Sequence, residues 1–269
     1  MTTIAPTLDR RRPALATSWM MVIRRAVLRF VRTPQLIVLA TLNMSLFFLV
    51  YRYLFGGAFR SVGIPYVDFL VPGFITTGVL FTGIGTAVAM AEDLEQGFVD
   101  RLRSLPIPRS SVLAGRAIAD TAILTWSLGV TAAIAFAVGF RLHGSALDGL
   151  AAFGLVIAFG FAFEWLFITL GMFAGNGQAA QGMGMIVFPF AFISSAYVPV
   201  TTMPSWLQVF AKHQPLTYMV DAVRSLTLGT HGNALLGHPT SYFLTRALLW
   251  AMAIIAVSVP LAVAKYRRG

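Results

Sequence analysis

Three long stretches of this chain carry no charge. Residues 33–51, between Arg32 and Arg52, form a run of 19 without an acid or a base. Between Asp68 and Glu92 the run is 23 residues, and between Asp120 and Arg141 it is 20. A helix rises about 1.5 Å per residue and a bilayer core is about 30 Å thick, so each run is long enough to cross. Composition gives the same answer: apolar residues are 57% of the chain and charged residues 11%, where soluble domains carry about 25% charge. The runs are continuous rather than alternating, which excludes a membrane β-barrel. The sequence predicts an all-α polytopic membrane protein.

The first three spans fall near 35–56, 67–91 and 112–138. A fourth covers Leu150 to Phe173, interrupted only by Glu164 and closed by the turn residues Gly175 to Gln178. A fifth is expected over 182–200, kinked at its interior Pro189. Residues 201–240 do not read as one crossing. They open with a capping Thr and an amphipathic turn, continue to Gly229, and end in HGNALLGHPT, which reads as loop. A sixth span starts near Tyr242 with Arg246 close behind it and ends before Lys265. A seventh, through 205–229, is disfavoured by Lys212, Asp221 and Arg224. Six spans place both termini on one side. Seven arginines lie between Arg10 and Arg32, more basic residues follow at Arg101, Arg103 and Arg109, and the tail holds Lys265, Arg267 and Arg268. That side is expected to be cytoplasmic, with 201–240 outside. The net charge of +10 thus serves topology and does not mark a nucleic-acid surface.

The first apolar run begins only after Arg32, so no cleavable signal sequence is expected. Trp19, Ile23, Val27 and Phe30 share one helical stripe and Arg25, Arg29 and Arg32 another. Such a segment can lie in the membrane interface, or it is a plain charged flank. Cysteine is absent and only four histidines are present, so no disulfide or thiolate chemistry and no obvious metal site is expected. Neither lysine, Lys212 or Lys265, follows a glycine-rich loop. The chain lacks a P-loop and is not expected to be an enzyme.

The segment from Glu92 to Pro108 joins acids, Gly97, and an Asp100–Arg101–Arg103 group flanking Phe98, Leu102 and Leu105. A helix with ionic and apolar faces can dock on a cytoplasmic partner; a solvated cap between spans 2 and 3 is the other reading. Asp68, Arg116, Asp120 and Glu164 lie at or within spans. Arg116 and Asp120, four apart, can neutralise one another. Glu164 has no local partner: it pairs across the bundle, lines a cavity or carries a proton. The Gly171–Gly175 and Gly182–Gly184 spacings permit close helix approach. Met172, Met183 and Met185 read as packing residues.

Four ordered blocks carry a family resemblance: RTP at Arg32–Pro34; YVDFLVPGF from Tyr66; AEDLEQGFVDRLRSLPIPRSSVLAGRAIAD from Ala91; and FISSAYVPV through SLTLG, ending at Gly229. The chain resembles the permease subunit of ABC-2 type transporters, in the style of daunorubicin-resistance permeases. The resemblance implies one transmembrane domain over 1–269. Within it, 15–31 would be an interfacial connecting helix, 92–108 a coupling segment, and 201–240 an extracellular region with re-entrant helices before the last span. It assigns ATPase coupling to Glu95, Gly97, Asp100, Arg101, Pro106 and Arg109, with Leu102 on the apolar face.

The resemblance further implies two copies of a separate P-loop ATPase subunit and a second permease chain, as homodimer or heterodimer, in a bacterial plasma membrane. ATP and Mg would be held by that ATPase, with no cofactor in this chain. The substrate would be an amphipathic drug, lipid or lipid-linked glycan. The apolar faces of spans 1, 2 and 5 are candidates for the path, with Phe188, Phe192, Tyr197 and Glu164 as candidate residues. Two rival classes are an ATP-independent proton-coupled transporter working through Glu164, and a membrane scaffold without transport.

Overall fold

The computed structural model describes residues 34–56, 64–97 and 109–268; the expected interfacial helix at 15–31 lies outside them. Among the described residues every regular element is a helix. The helices are α1 (Pro34–Phe55), α2 (Tyr66–Glu95), α3 (Arg109–Ala137), α4 (Ala146–Ala174), α5 (Gly177–Met185), α6 (Val187–Phe192), α7 (Ser205–His213), α8 (Pro215–Leu228), α9 (Thr230–Leu236) and α10 (Thr240–Arg268), with a short 3-10 turn at Val200–Thr202. Four of them are long and apolar enough to cross a membrane: α2, α3 from Val112, α4, and α10 up to Tyr266. The chain is therefore an all-α, multi-pass membrane protein.

Burial ranks these helices. The apolar window is 67% buried in α2 and 61% in α4, but 33% in α3 and 22% in α10. So α2 and α4 form the centre, and α3 and α10 present most of their surface outward, where a bilayer supplies the apolar contact. Small residues let the two central helices meet. A Cβ at Gly171 would overlap the Ala87 carbonyl, and one at Gly83 would overlap the Phe167 ring. Gly184 packs on Ile84. Gly175 serves differently, ending α4 at φ +83°.

Helix ends follow local chemistry. Ser145 caps α4 through a reciprocal box: its hydroxyl accepts from the Asp148 N–H at 3.1 Å, and Asp148 accepts from the Ser145 N–H at 2.9 Å. Such a cap contributes about 1 kcal/mol, and it starts α4 four residues before Leu150. Asn176 caps α5, accepting from the Ala179 N–H at 2.7 Å.

Three expectations need correction. The fifth span is not one helix over 182–200. Helix begins at Gly177, breaks at Ile186 and stops at Phe192. Pro189 has no N–H for the Met185 carbonyl and crowds it, which places the break one turn upstream. The HGNALLGHPT stretch is not all loop, because Thr230–Leu236 forms α9 between Gly229 and a left-handed Gly237 at φ +69°. Finally, α7 is preceded by Pro204, which makes no side-chain cap bond, so no capping Thr opens it.

The chain after α6 is irregular and buried, and Arg224 holds it. This fully buried side chain donates from Nη2 to the Ser195 carbonyl at 2.8 Å and the Phe69 carbonyl at 3.2 Å. Its Nη1 pairs with Asp221 at 2.9 Å, and its guanidinium lies over the Phe69 ring at 3.9 Å. Asp221 also accepts from the Ser195 hydroxyl at 2.7 Å. The Gln214 amide donates to the Ile193 carbonyl at 2.8 Å. At Gly73 a Cβ would overlap the Ala196 carbonyl, so the turn seats directly on the α2 backbone. Arg224→Met strands the Asp221 carboxylate and is expected to destabilise the protein by about 3–5 kcal/mol. Thermal unfolding in detergent checks this. Adding Asp221→Asn should recover part of the loss, since much of it is the unpaired buried charge.

Candidate functional site: an aromatic cavity beside a buried ionic cluster

A cavity of about 510 Å³ opens between α1, α2 and the broken α5–α6 segment. Its walls include Met44, Phe47 and Tyr51 from α1, Phe74 and Phe81 from α2, and Phe188 and Phe192 from α6. The break at Ile186 and the end of α6 at Phe192 leave this space open, and Tyr197 reaches it from the Arg224-held turn. Tyr197 stacks on Tyr51 at 4.9 Å and on Phe192 at 5.4 Å, and Phe188 meets Phe81 at 4.8 Å between ring centroids. The Tyr197 hydroxyl shares a 2.8 Å hydrogen bond with Thr77. Asn43, Thr82 and Gln181 add sparse polar groups. Volume and lining match small-molecule sites, which run about 300–1,000 Å³ and are mostly apolar with few polar anchors.

The structure brings Phe188, Phe192 and Tyr197 together at this cavity. Glu164 is elsewhere. It is 2% exposed within α4, meets the Thr86 hydroxyl, and feels the charges of Asp120 and Arg116. Its Oε2 has no hydrogen-bond partner among the described residues. Arg116 lies 3.4 Å from Asp120 and also pairs with Asp93 on α2, and the Thr86 hydroxyl donates to Asp120 at 3.2 Å. The i,i+4 pair is legible in the sequence. Asp93 is not, since 23 residues separate it from Arg116 and only the α2–α3 packing joins them. Asp68, 1% exposed, accepts from the Arg141 N–H at 3.0 Å and lies 3.8 Å from His143.

The coupling residues divide. Glu95 is the exposed last residue of α2, and Gly97 follows at φ +66°, a left-handed turn that suits glycine. Glu92–Glu95 is therefore the last turn of α2 and not the start of a separate helix. Arg109 is the first residue of α3. Asp100, Arg101, Leu102 and Pro106 lie outside the described residues.

The Thr77–Tyr197 bond offers a direct test of how the cavity wall is held. Thr77 also donates toward the Gly73 and Phe74 carbonyls at 2.9 and 3.1 Å. Tyr197→Phe therefore strands no donor and should cost about 1 kcal/mol. Thr77→Val should cost a similar amount, and the double variant less than their sum, because one bond is shared. A double-mutant cycle read by thermal unfolding measures it.

Comparison with known proteins places this architecture. The chain matches the ABC-2 type transporter family over residues 17–228. It is 31% identical over 260 residues to the daunorubicin resistance ABC transporter permease protein of Streptomyces coeruleorubidus, spanning 95% of this chain and 89% of that one. It is 26% identical over 202 residues to a protein of Mycobacterium tuberculosis named as a probable doxorubicin resistance ABC transporter permease, spanning 74% and 70% of the two chains. By this match and by its multi-helix membrane architecture, the chain belongs to the ABC-2 type transporter family of permeases.

Proposed function

We propose that this permease moves an amphipathic drug, lipid or lipid-linked glycan out of the cytoplasm, with the aromatic cavity between α1, α2 and α5–α6 on its path. The cavity carries this reading: stacked rings give an adaptable apolar surface, and Asn43, Thr82 and Gln181 can orient a polar end. The drug-resistance names of the relatives support the drug as first candidate. Phe188, Phe192 and Tyr197 contact substrate in this reading, and Glu164 does not.

As an ABC-2 type permease, the chain is the transport subunit, distinct from the ATPase. In the proposed assembly two permease chains meet two ATPase chains in a bacterial plasma membrane. The chain crosses six times, with both termini cytoplasmic and 201–240 outside. Two spans come from α1 and the α5–α6 segment, in addition to the four long apolar helices, and α7–α8 form the re-entrant pair. Residues 15–31 form the connecting helix and 92–108 the coupling segment. ATP binding draws the ATPase chains together, the coupling segments move, and the cavity changes its affinity between two states. Without that affinity difference no net export follows.

Two measurements test this. Leu102→Asp and Arg101→Glu should each weaken recovery of the ATPase subunit in detergent pull-down, with permease abundance unchanged, because an apolar anchor and an ion pair are lost from a docking surface. Normal recovery and normal coupled hydrolysis in both variants would return the segment to a solvated cap. Glu164→Gln should leave ATP-driven export largely intact. Export that collapses while ATPase coupling persists, with a pH dependence confined to the wild type, would favour the proton-coupled class.

A further inference from the structure

Arg246 sits on the first spanning turns of α10, six residues and about 9 Å in from the Thr240 end. Among the described residues it has no carboxylate partner. Its guanidinium carbon lies over the Tyr242 ring, 3.5 Å from the centroid, with the Tyr218 ring of α8 at 5.9 Å. Tyr242 in turn stacks on His238 at 4.1 Å. Of the five N–H donors of an arginine, one is used among the described residues, to the Tyr242 carbonyl at 3.4 Å. A charge this close to the hydrocarbon normally faces a partner or a cavity.

What Arg246 faces is an open apolar groove of about 280 Å³, formed with Leu249, Trp250 and Ala253. These four positions are i, i+3, i+4 and i+7, one stripe of the helix. Leu249 is 60% exposed and Trp250 40%. The stripe belongs to α10, the least buried of the four long apolar helices at 22%. The groove is therefore continuous with the surface that a bilayer covers. Its chemistry is divided as a phospholipid is: a cation with free, forked donors at the end near the headgroups, and an apolar trough running inward from it.

We propose that Arg246, Trp250, Leu249 and Ala253 form a binding site for an anionic phospholipid in the leaflet at the Thr240 end of α10. The lipid phosphate takes the unused guanidinium N–H groups, which match phosphate oxygens in pairs. One acyl chain lies along Leu249, Trp250 and Ala253. The Tyr242 ring, 3.5 Å from the guanidinium carbon, holds the head of the side chain beside the groove. The site is separate from the aromatic cavity between α1, α2 and α5–α6, shares no lining residue with it, and does not depend on the transported substrate.

The test uses the full chain in phosphatidylcholine vesicles that contain an equal small fraction of either brominated phosphatidylglycerol or brominated phosphatidylcholine. Bromine quenches a tryptophan it touches, and the difference between wild type and Trp250→Phe isolates the Trp250 signal. Phosphatidylglycerol should quench Trp250 about fivefold more effectively, the preference one basic residue near a membrane surface confers. Arg246→Gln should abolish the preference and Arg246→Lys should keep most of it. Equal quenching by the two lipids in wild type would overturn the site, as would a preference that survives in Arg246→Gln. Quenching by neither lipid would mean that a second copy or another protein covers the groove, which also overturns it. Native mass spectrometry of wild type and Arg246→Gln reads the same preference without a change at Trp250. Phosphatidylglycerol adducts retained by wild type and lost in the variant support the site; equal retention of both lipids in wild type overturns it.

Discussion

A charged side chain with no access to solvent, Arg224, sets the terms for the middle of this protein. In a membrane every backbone polar group must find a partner within the protein, which is why spans are helices. Here helix stops at Phe192, and the next residues run irregularly through the interior. Their carbonyls would be orphaned without donors brought from elsewhere. Arg224 and Gln214 bring those donors, to Ser195 and Ile193, and Asp221 balances the guanidinium charge. Neither ion is cheap to bury, and the pair is tolerable because Asp221 and the Ser195 and Phe69 carbonyls take the terminal N–H groups of the guanidinium while Ser195 donates to Asp221; the Arg224 Nε and the Gln214 Oε1 have no partner among the described residues. The turn it holds delivers Tyr197 to the cavity wall, so the aromatic site depends on a polar contact that is not itself part of it.

Helix α2 connects the parts. Its first turn carries buried Asp68; the next turns carry Gly73 and Thr77, against the Arg224-held turn and Tyr197. Its middle lines the cavity from Phe74 to Gly85, and its last third holds Thr86 and Asp93, which engage the Arg116–Asp120 pair of α3. The distance along the helix from Thr77 to Asp93 is about 24 Å. No loop interrupts that path, and the Glu95 end and the Tyr197 contact lie on one helix. The ionic cluster joins α2 to α3 on either side of residues 98–108, within the segment proposed for ATPase coupling. The Arg116–Asp93 ion pair spans the two helices.

Much of the helix plan was legible because charge-free length is a direct physical requirement for crossing a bilayer. The α2, α3 and α4 boundaries fall within a few residues of the expected ones. The early start of α4 was also written in the sequence, as the Ser145-to-Asp148 capping box, a signal that hydropathy does not see. The broken fifth span was legible only in part. Pro189 announced a kink, but nothing local told where helix would end, because the donors that make an ending at Phe192 acceptable come from residues 214 and 224. Asp93 as a partner of Arg116, and Glu164 as a residue of the ionic cluster and not of the cavity, are likewise products of packing between distant segments. At α9, the preceding Gly229 and the helical His231, Gly232 and Asn233 read as loop by propensity. The helix forms where Gly229 lies against the His143–Gly144 backbone, and the tertiary contact overrides a weak local preference.

The reason that 205–229 is not an ordinary span also changes between sequence and structure. By sequence, charge argues against a crossing there, yet Asp221 and Arg224 neutralise one another in the interior and would not by themselves keep the segment out of a membrane. Length is the stronger argument. Helix α8 has 14 residues and α7 has 9. At about 1.5 Å per residue, α8 reaches roughly 21 Å, against a core of about 30 Å. Gln214, with extended backbone at ψ 151°, separates the two, so they cannot add into one rod. The α5–α6 segment is interrupted too, at Ile186 one turn before Pro189, but its path runs on through the buried residues after Phe192 that Arg224 and Gln214 hold. Two interrupted helical segments thus meet around a polar clamp at the side of a well-packed α2–α4 centre. Interrupted helices cannot fill space as a straight pair does, and the aromatic cavity lies in the space that they leave.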